Sequence, residues 1–461
     1  MATTRGRGPN TALAALIEAS GASHIWLARR VNELTAERGV TTAYTHTGVS
    51  RWTVKGMVPR DPTPACLAAA LGERLGRPVT PAEIGMGAVR ERDPDVGLDF
   101  PRDPDTALRG AIQHWSTMLN RRAILHGSFA IGAYAVPTVR WLGRPADAAP
   151  VTPDPAGRRV GRTDLDQLWK ASEEARRWDS KFGGGNTRAP AVARLLRERA
   201  VPLLQGSFTE QLGRELLTAV SELARVSAWS SFDMGDHGAA QRDFVQSLRL
   251  ARAAGDQEAG AYTLATMSLQ AMLRGYPQEA IDMAQGAYDR ARHAAAPRVL
   301  AFIKLAEARA HGRAGDSRAA GRTLAECEGL LDSIRPGTRD PAHLAYLTHQ
   351  RISADAAEIH KDLGRPEAAL RWGQQAGPMS ESDFARATGI RCTVMAVAHL
   401  QHDDLPSALA AGERAAAILG PVRSARAHGY LRDVTTALRP WRGDTQVADF
   451  LHRAGTVLAS A

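Results

Sequence analysis

The chain has 461 residues, 44% of them hydrophobic and only 5% aromatic, so it is long enough for two or three domains with large cores. Its three cysteines lie far apart without a CxxC pair, which excludes a disulfide scaffold and a thiolate zinc site and is typical of a reducing compartment. The net charge is +9, and residues 1–60 alone hold 8 Lys or Arg against 3 Asp or Glu, a concentration that indicates a phosphate-binding surface.

The chain shows no secretory signal, because its N-terminal residues are polar and basic with no apolar stretch behind them. Residues 123–139 follow two arginines and look like a twin-arginine signal, but they lie far from the N-terminus and include His126 and Pro137. They are a poor membrane span, and we interpret them as a buried helical segment. We therefore expect a cytoplasmic protein that does not contact a membrane.

Residues 1–87 are predicted to form a small helical domain. Cap residues and glycines set the helix boundaries, proline suits the first position of the fourth helix, and a capping box opens a last short helix. The expected helices run from Asn10 to Gly21, from Ser23 to Gly39, from Tyr44 to Gly56 and onward from Thr63, and the capping box joins Thr80 to Glu83.

Residues 88–162 are predicted to be a bridge between domains. Asp-Pro punctuation over residues 93–104 leads into a helical hairpin over about residues 105–142. Residues 145–157 hold four prolines and are interpreted as a linker that passes from ordered to flexible.

Residues 163–461 contain a weak internal repeat, in which a Gly or Gly-Asp turn is followed by an alanine that opens a second helix. The alanines of successive units are Ala240, Ala280, Ala320, Ala369 and Ala408. A small residue is needed where the two helices of a unit cross, and the matching positions are Ala228, Ser268, Ala308, Ala357 and Ala396. Such units cannot bury their faces alone, so they stack into a solenoid with a concave groove.

Residues 45–56, THTGVSRWTVKG, carry a Val-Ser-x-Trp pattern followed by Gly and then Pro. With residues 23–60, they resemble a Cro/repressor-type helix-turn-helix, whose recognition helix presents polar and basic side chains to base edges. Val49 and Trp52 (or Val54) would pack inward, while arginines would contact guanine and phosphates. The resemblance nominates nine DNA-binding residues: Thr45, His46, Thr47, Ser50, Arg51, Lys55, Arg60, Arg29 and Arg30.

Two departures from that family leave the register of the base contacts open. The connection from Glu37 to Thr42 is longer than a tight three-residue turn, and the spacing from Trp52 to Gly56 is one residue longer than usual. The alternative is a helical module whose basic face is merely solvated or docks a protein.

The repeat resembles tetratricopeptide repeats, with about five units over residues 215–440, and HEAT-like repeats are the competing assignment. A repressor-like head joined to such repeats is similar in layout to two groups of regulators. One is the actinobacterial regulators of differentiation and antibiotic production, which the Asn-Arg-Arg of residues 120–122 and the turn over residues 181–188 resemble. The other is the Gram-positive peptide-receptor regulators.

In tetratricopeptide proteins the first helix of each unit forms the concave wall, where arginines beside aromatic rings suit a peptide carboxylate or an acidic, partly apolar ligand. The resemblance nominates the following groove residues: Arg225, Trp229, Phe232, Tyr262, Leu269, Met272, Arg309, Arg351, Glu358 and Val397. The peptide receptors clamp their ligand with groove asparagines, and the recognisable repeats here hold none. The alternatives are a face without ligand, or a groove filled by the chain's own C-terminal helix or by a partner subunit.

Other chemistry is weakly indicated. Residues 183–185 are three glycines outside any phosphate-loop context, and we interpret them as a flexible turn. His311, His360 and His399 share a repeat phase but lie about one repeat apart, too far for one zinc ion, and we interpret them as core histidines. No catalytic fingerprint is present, so we expect no enzyme, no cofactor and no metal site, with a phosphate-ligand enzyme as a remote third hypothesis.

The sequence therefore predicts an all-α transcriptional regulator with three parts. Residues 1–87 read a double-stranded DNA operator, residues 88–162 connect, and residues 163–461 sense a small-molecule or peptide effector and form a homodimer, because one small head rarely provides enough specific affinity. An effector would change the dimer geometry and its fit to the operator, and family analogy favours repression. The alternative is a scaffold whose solenoid binds one protein and whose helical head docks another.

Overall fold

A computed structural model divides the chain into two compact units, residues 1–95 (unit 1) and residues 96–461 (unit 2). The structure describes residues 8–37, 40–59, 62–81, 83–86, 96–117, 128–185 and 189–459. In these ranges the chain is helical and contains no β-strand. The predicted all-α class is confirmed.

The helices of unit 1 begin and end at the predicted signals. They are α1 (Thr11–Ser20), α2 (His24–Glu37), α3 (His46–Val54) and α4 (Thr63–Leu75). The Asn10 side chain caps α1 by accepting a hydrogen bond from the backbone N–H of Leu13 at 3.0 Å. Thr80 and Glu83 make the predicted capping-box hydrogen bonds, but residues 83–85 form a turn and not the expected short helix.

The apolar faces of these four helices meet in one core. Leucines spaced by three or four residues point to it from α1, α2 and α4, since helical residues at that spacing share a face. The fully buried members include Leu13, Leu27, Val31, Val49, Leu67 and Leu71. The core explains why α3, only nine residues long, is stable: its apolar side packs on α1 and α2.

Unit 2 is a longer run of helices. Within its described residues they are α5 (Pro104–Thr117), α6 (Ala135–Gly143), α7 (Arg162–Phe182), α8 (Ala189–Leu195), α9 (Val201–Leu204), α10 (Glu210–Asp233), α11 (His237–Ala254), α12 (Gln257–Leu273), α13 (Pro277–Ala291), α14 (Pro297–Arg313), α15 (Ser317–Asp332), α16 (His349–Asp362), α17 (Pro366–Gln375), α18 (Glu381–Gln401), α19 (Leu405–Leu419), α20 (Ala425–Leu438) and α21 (Thr445–Ala459). No helix in the described part of the chain is both long and apolar enough to cross a bilayer.

The predicted repeat corresponds to five helix pairs, from α10/α11 to α18/α19, arranged as a solenoid. The turn of each pair has a residue with positive φ, a glycine in the first four pairs and Asp403 (φ 58°) in the fifth. The small residues predicted at the crossings are all buried, and the Ser268 hydroxyl donates to the Ala280 carbonyl across one of them at 2.8 Å. The pattern of turns and small residues thus identified the solenoid correctly.

Residues 96–161 belong to unit 2 and do not form a separate bridge. Phe100, Tyr134 and Trp141 are buried in the core that α10–α14 share. Asp147, within the segment predicted as a linker, pairs with Arg249 at 2.8 Å and Arg252 at 3.0 Å. The prolines therefore mark an irregular segment that packs on the solenoid, because its buried side chains and ion pairs outweigh the flexibility that the composition suggests.

The solenoid of unit 2 curls back toward its own beginning. α7, which precedes the helix pairs, packs against both α10 and α18, and α10 also contacts α20. Helices separated by about two hundred residues are thus neighbours. This return brings the inner faces of the pairs close to one another and decides what the predicted groove contains.

Candidate functional site

The orientation of α3 in unit 1 is fixed by its inner face. Val49 is fully buried and Trp52 is 4% exposed, as predicted, and the Trp52 ring meets Tyr44 edge-on with 4.9 Å between ring centroids. At the end of the helix, the backbone N–H of Asn10 donates to the Thr53 carbonyl at 2.7 Å. These contacts set the rotation of α3 about its axis and so decide which side chains face outward.

The outward face of α3 is polar and basic. Of the predicted residues on this helix and its ends, those exposed are Thr45, His46, Thr47, Arg51 and Lys55, and Ser50 is half-buried. In the described part of unit 1, the ion pairs involve other cations, and no carboxylate pairs with Arg51 or Lys55. Both cations can therefore meet an external anion without losing an internal partner.

Val54 also belongs to this outward face. Its side chain is 62% exposed, so the alternative in which Val54 packs inward is wrong. Val54 and Lys55 lie three and four residues after Arg51, so both share a side of the helix with Arg51.

The three predicted DNA-binding arginines outside α3 have different positions. Arg29 is 72% exposed, with a loose pairing to Glu33 at 3.7 Å, and remains accessible. Arg30 instead donates through Nε and Nη2 to Glu73 of α4 at 2.9 and 2.8 Å, so it joins α2 to α4 within the fold of unit 1. Arg60 lies outside the described residues.

The long connection between α2 and α3 is anchored by Asn32, a residue that the sequence reasoning missed. The Asn32 Oδ1 accepts hydrogen bonds from the Thr42 hydroxyl at 2.8 Å and the Tyr44 backbone N–H at 2.9 Å, while its Nδ2 donates to the Tyr44 carbonyl at 2.9 Å. Thr35 adds a 2.6 Å hydrogen bond to Thr42. Thr42 and Tyr44 are thereby held against α2, and the start of α3 is fixed.

In unit 2, the structure brings Arg225 and Tyr262 of the predicted groove together. The Arg225 guanidinium carbon lies 4.3 Å from the centroid of the Tyr262 ring. The same guanidinium donates from Nε and Nη2 to Glu222 at 2.8 and 2.7 Å, and Arg176 of α7 also pairs with Glu222. Burial raises the pKa of Glu222, but the guanidinium groups of Arg225 and Arg176 outweigh burial and hold that pKa at about 2.

A second group of predicted groove residues meets farther along the solenoid. Arg309 pairs with Glu358 at 2.8 Å and Asp355 at 3.1 Å, and Arg351 pairs with Asp355 at 2.6 Å. The Tyr430 hydroxyl of α20 donates to Glu358. The arginines expected to bind an acidic ligand are therefore already paired with carboxylates of the chain itself.

The remaining groove residues contribute differently. Phe232, Leu269 and Met272 are buried in the core of α10–α14, so these three do not line an open groove. These side chains are buried because Phe100, Tyr134 and Trp141 of the preceding segment pack into the same core. Val397 is half-buried and packs against the separate core of α18–α21. The Trp229 ring lies 5.4 Å below the guanidinium of Arg426 from α20.

Asp233, at the end of α10, is the centre of a buried ion cluster that links α7, α10, α18 and α20. Its carboxylate lies 2.9 Å from Arg386 of α18 and 3.0 Å from Arg426 of α20, and Arg386 also pairs with Asp179 of α7 at 2.7 Å. Burial raises the pKa of Asp233, but the two guanidinium groups outweigh burial and keep that pKa below its usual value. We call Asp179, Asp233, Arg386 and Arg426 the Asp233 cluster.

The three glycines at 183–185 form a turn after α7, as predicted, and this turn packs against the Asp233 cluster. The Gly184 N–H donates to Asp233 at 2.9 Å and the Gly185 N–H to the Arg423 carbonyl at 2.9 Å. A Cβ on Gly184 would stand 2.4 Å from the Ser230 carbonyl oxygen, closer than any side chain allows. Glycine is required here because backbone approaches backbone.

Within the described residues, no three His, Cys, Asp or Glu side chains are grouped as a metal site would require. Of the three histidines in equivalent repeat positions, His311 is buried and His360 and His399 are half-buried. His311 lies 3.6 Å from Glu307 and His399 lies 3.2 Å from Asp404. Each histidine thus has its own local surroundings.

Residues 13–87 match the family model described as SP15 N-terminal domain. The matched residues lie within unit 1 and contain α2, α3 and α4 entirely. This part of unit 1 is therefore similar to that domain, and the match covers a small part of the chain. No curated protein matches the chain.

Proposed function

We propose that the chain is a sequence-specific DNA-binding transcriptional regulator in which α3 enters the major groove. The observation that carries the proposal is the outward face of α3, where the Arg51 and Lys55 cations have no carboxylate partner among the described residues. The opposite face of α3 is anchored by buried Val49 and Trp52. A rigid helix with a polar and basic outer face is what a reading head needs.

The residues of α3 suggest how bases are distinguished. Arg51 is placed to donate to the two acceptors on the edge of guanine, the commonest specific contact to a base. Val54, exposed beside it, suits a thymine methyl group, and Thr47 supplies a short hydroxyl. Lys55 and Arg29, at the margins of this face, are assigned to phosphates, which position the head without reading sequence.

The proposal includes a homodimer, repression and control by an effector. Two heads on adjacent half-sites would provide the specific affinity that one small head rarely achieves. Unit 2 is the part of the chain assigned to dimerisation and sensing, since solenoids present large surfaces. Because an operator is the target, the expected location is the cytoplasm. The direction of regulation is taken from family analogy.

The second candidate is an adaptor whose head docks a protein. One observation favours it: unit 1 exposes large apolar side chains, with Ile25 71%, Val54 62% and Val58 53% exposed. Exposed apolar groups are typical of protein-binding surfaces when they are contiguous. Salt distinguishes the two candidates, because phosphate contacts make affinity fall steeply with salt concentration.

The test is binding of the purified full chain to sheared genomic DNA of its source organism, followed by sequencing of the bound fragments. Discrete sites with paired half-sites are expected. An Arg51→Ala/Lys55→Ala variant should bind those sites about a hundredfold more weakly. In a plot of the logarithm of the binding constant against the logarithm of the salt concentration, the slope should be smaller by about 1, because one phosphate contact is lost.

The control variant, Arg177→Ala/Arg214→Ala, removes two exposed cations of unit 2 whose partners lie one helical turn away. It should bind like the unmodified chain, since such exposed pairs contribute little to stability. If no fragment is enriched at low salt, DNA reading is refuted and the adaptor gains support. If the α3 variant keeps the same sites and affinity, α3 is not the recognition helix.

A further inference from the structure

A cavity of about 460 Å³ opens in unit 2 between α16, α17, α18 and α19. Small residues form most of its wall, among them Ala357, Gly373 and Ala411. Its volume is within the range of about 300–1,000 Å³ that small-molecule sites occupy. The cavity lies on different residues from the concave groove that the sequence nominated.

The cavity exists because α17 is short. α17 has 10 residues, whereas the second helices of the neighbouring pairs, α15 and α19, have 16 and 15. At a rise of about 1.5 Å per residue, α17 stops about 8 Å early. The chain then turns at Gly377 and continues through Pro378 and Met379 along the rim, so no second-helix side chains fill the space between α16 and α18.

The apolar core of the solenoid is thinnest at the same place. The large core of α14–α16 and that of α18–α21 are separate, and between them lies a small cluster made of Ala357, Val394 and Tyr430. Met379 and Met395 border the cavity, and methionine side chains adjust to irregular apolar shapes. The wall is therefore suited to the apolar body of a ligand.

Arg391 gives the cavity a charge. Its guanidinium is half-buried and donates from Nη2 to the Gln350 carbonyl at 3.3 Å, but no carboxylate of the described chain forms an ion pair with it. The buried arginines elsewhere in unit 2 differ, since Arg309 and Arg386 each pair with two carboxylates. Arg414 stands at the rim, exposed and paired with Glu381 at 2.7 Å.

We propose that this cavity binds a small amphipathic anion, with its apolar body against the alanine and methionine wall and its anionic group on Arg391. Arginine remains charged at any physiological pH, and a partly desolvated guanidinium without a carboxylate is stabilised by an anion that reaches it. The site goes beyond the proposed DNA binding and does not depend on it. The proposed effector site is therefore the cavity beside α17 and not the concave groove, whose arginines are already paired with carboxylates.

Cys392 lines the cavity next to Arg391, so the rate at which a reagent labels its thiol can show whether the cavity is occupied. The thiol is half-buried, whereas Cys66 and Cys327 are fully buried, so a maleimide should label the native chain at Cys392. Burial raises the pKa of the Cys392 thiol, so labelling is done at alkaline pH, where more thiolate is present. The probe is decanoate below its micelle concentration, and intact-mass and peptide mass spectrometry locate the label.

Decanoate should slow labelling of Cys392, and the concentration for half-protection should rise by about tenfold or more in Arg391→Gln. Protection is expressed relative to each variant's own rate without decanoate, because Arg391 also affects the thiol. The control Arg432→Gln removes an exposed cation of α20, away from the cavity, and should leave half-protection unchanged. Decylammonium, of equal chain length and opposite charge, should protect poorly.

A second variant, Ala411→Phe, fills the cavity without touching Arg391. Calorimetric titration with decanoate should show binding to the unmodified chain and none to this variant, while thermal unfolding of unit 2 stays similar. The proposal is overturned if decanoate gives no protection, if Arg391→Gln is protected as well as the unmodified chain, or if decylammonium protects equally. None of these measurements involves DNA, so they test the proposed cavity ligand independently of the proposed DNA binding.

Discussion

Replacing Asp233 with asparagine should open the closed solenoid of unit 2. The substitution keeps the shape of the side chain and removes its charge, which leaves Arg386 and Arg426 facing a neutral amide. Both guanidinium groups are within 3.0 Å of the carboxylate in the intact chain, and the Asp233 side chain is fully buried.

The magnitude follows from the contacts. Removing one partner of a buried ion pair costs about 3–5 kcal/mol, because the other charge stays buried and unpaired. Arg386 keeps Asp179 at 2.7 Å and Arg426 keeps its place over the Trp229 ring, so we expect the lower end, about 3 kcal/mol. Local opening should then be about a hundredfold more populated.

Hydrogen exchange followed by mass spectrometry measures this opening, under conditions where exchange reports the opening equilibrium. The reporters are the Gly185 N–H, which donates to Arg423, and the His428 N–H, which donates to Ser424. The matched control is Asp316→Asn. Asp316 caps α15 through the Ala319 N–H at 2.9 Å, and asparagine caps a helix equally well, so exchange should stay unchanged.

If the exchange rates of both reporter amides rise by less than about threefold, the free energy of local opening has changed by less than about one kcal/mol. That result would refute the reasoning, because the Asp233 cluster would then not keep α18 and α20 against α7 and α10. An equal increase across every helix of unit 2 would also contradict it, because the cluster would support global stability and not the return of α18 and α20 to α7. A rise confined to the ends of α7, α10, α18 and α20 is the expected pattern.

Two further predictions concern acid stability and the reading head. The pKa of Glu222 lies at about 2, below its ordinary 4.5, so the stability that the ionised carboxylate contributes is complete above about pH 5 and is lost as the pH falls toward 2. In that window the unfolding free energy of Glu222→Gln, measured with urea, should depend less on pH than that of the unmodified chain. An identical pH dependence would contradict the assignment. Asn32→Ala removes three hydrogen bonds to Thr42 and Tyr44. Unit 1 should therefore lose about 2 kcal/mol of unfolding free energy, and the chain should bind the enriched DNA sites more weakly. The control Asn10→Ser retains a cap on α1, so it should keep α3 in place and bind DNA normally.

Much of the local structure was predictable because it depends on residues near one another in sequence. Asn10 and Gly21 bound α1, and the inward positions Val49 and Trp52 followed from helical spacing. In the solenoid, turns and small residues recur once per unit and identify the pairs. The fifth turn has Asp403 where the others have glycine, and the surrounding pattern still marked it.

The candidate surfaces were predictable to different degrees. The outer face of α3 followed from sequence, since knowing which residues pack inward decides which face outward. Asn32 was missed because its partners are loop residues whose position depends on how the connection folds. The cavity beside α17 had no signal in the repeat, because Ala369 and Ala408 on either side of it are 39 residues apart, close to the 40 residues between Ala240 and Ala280.

The sequence by itself determined the helices, their caps, the repeat and the concentration of positive charge near the N-terminus, since these arise from the spacing of side chains along a few turns. The tertiary structure alone decided that the solenoid returns to α7 and that the arginines of the groove face carboxylates of the same chain. Arg386 and Asp179 are 207 residues apart, and no local pattern encodes such a pair. Burial makes the pairing strong, because a charge removed from water must find its opposite within a few ångströms.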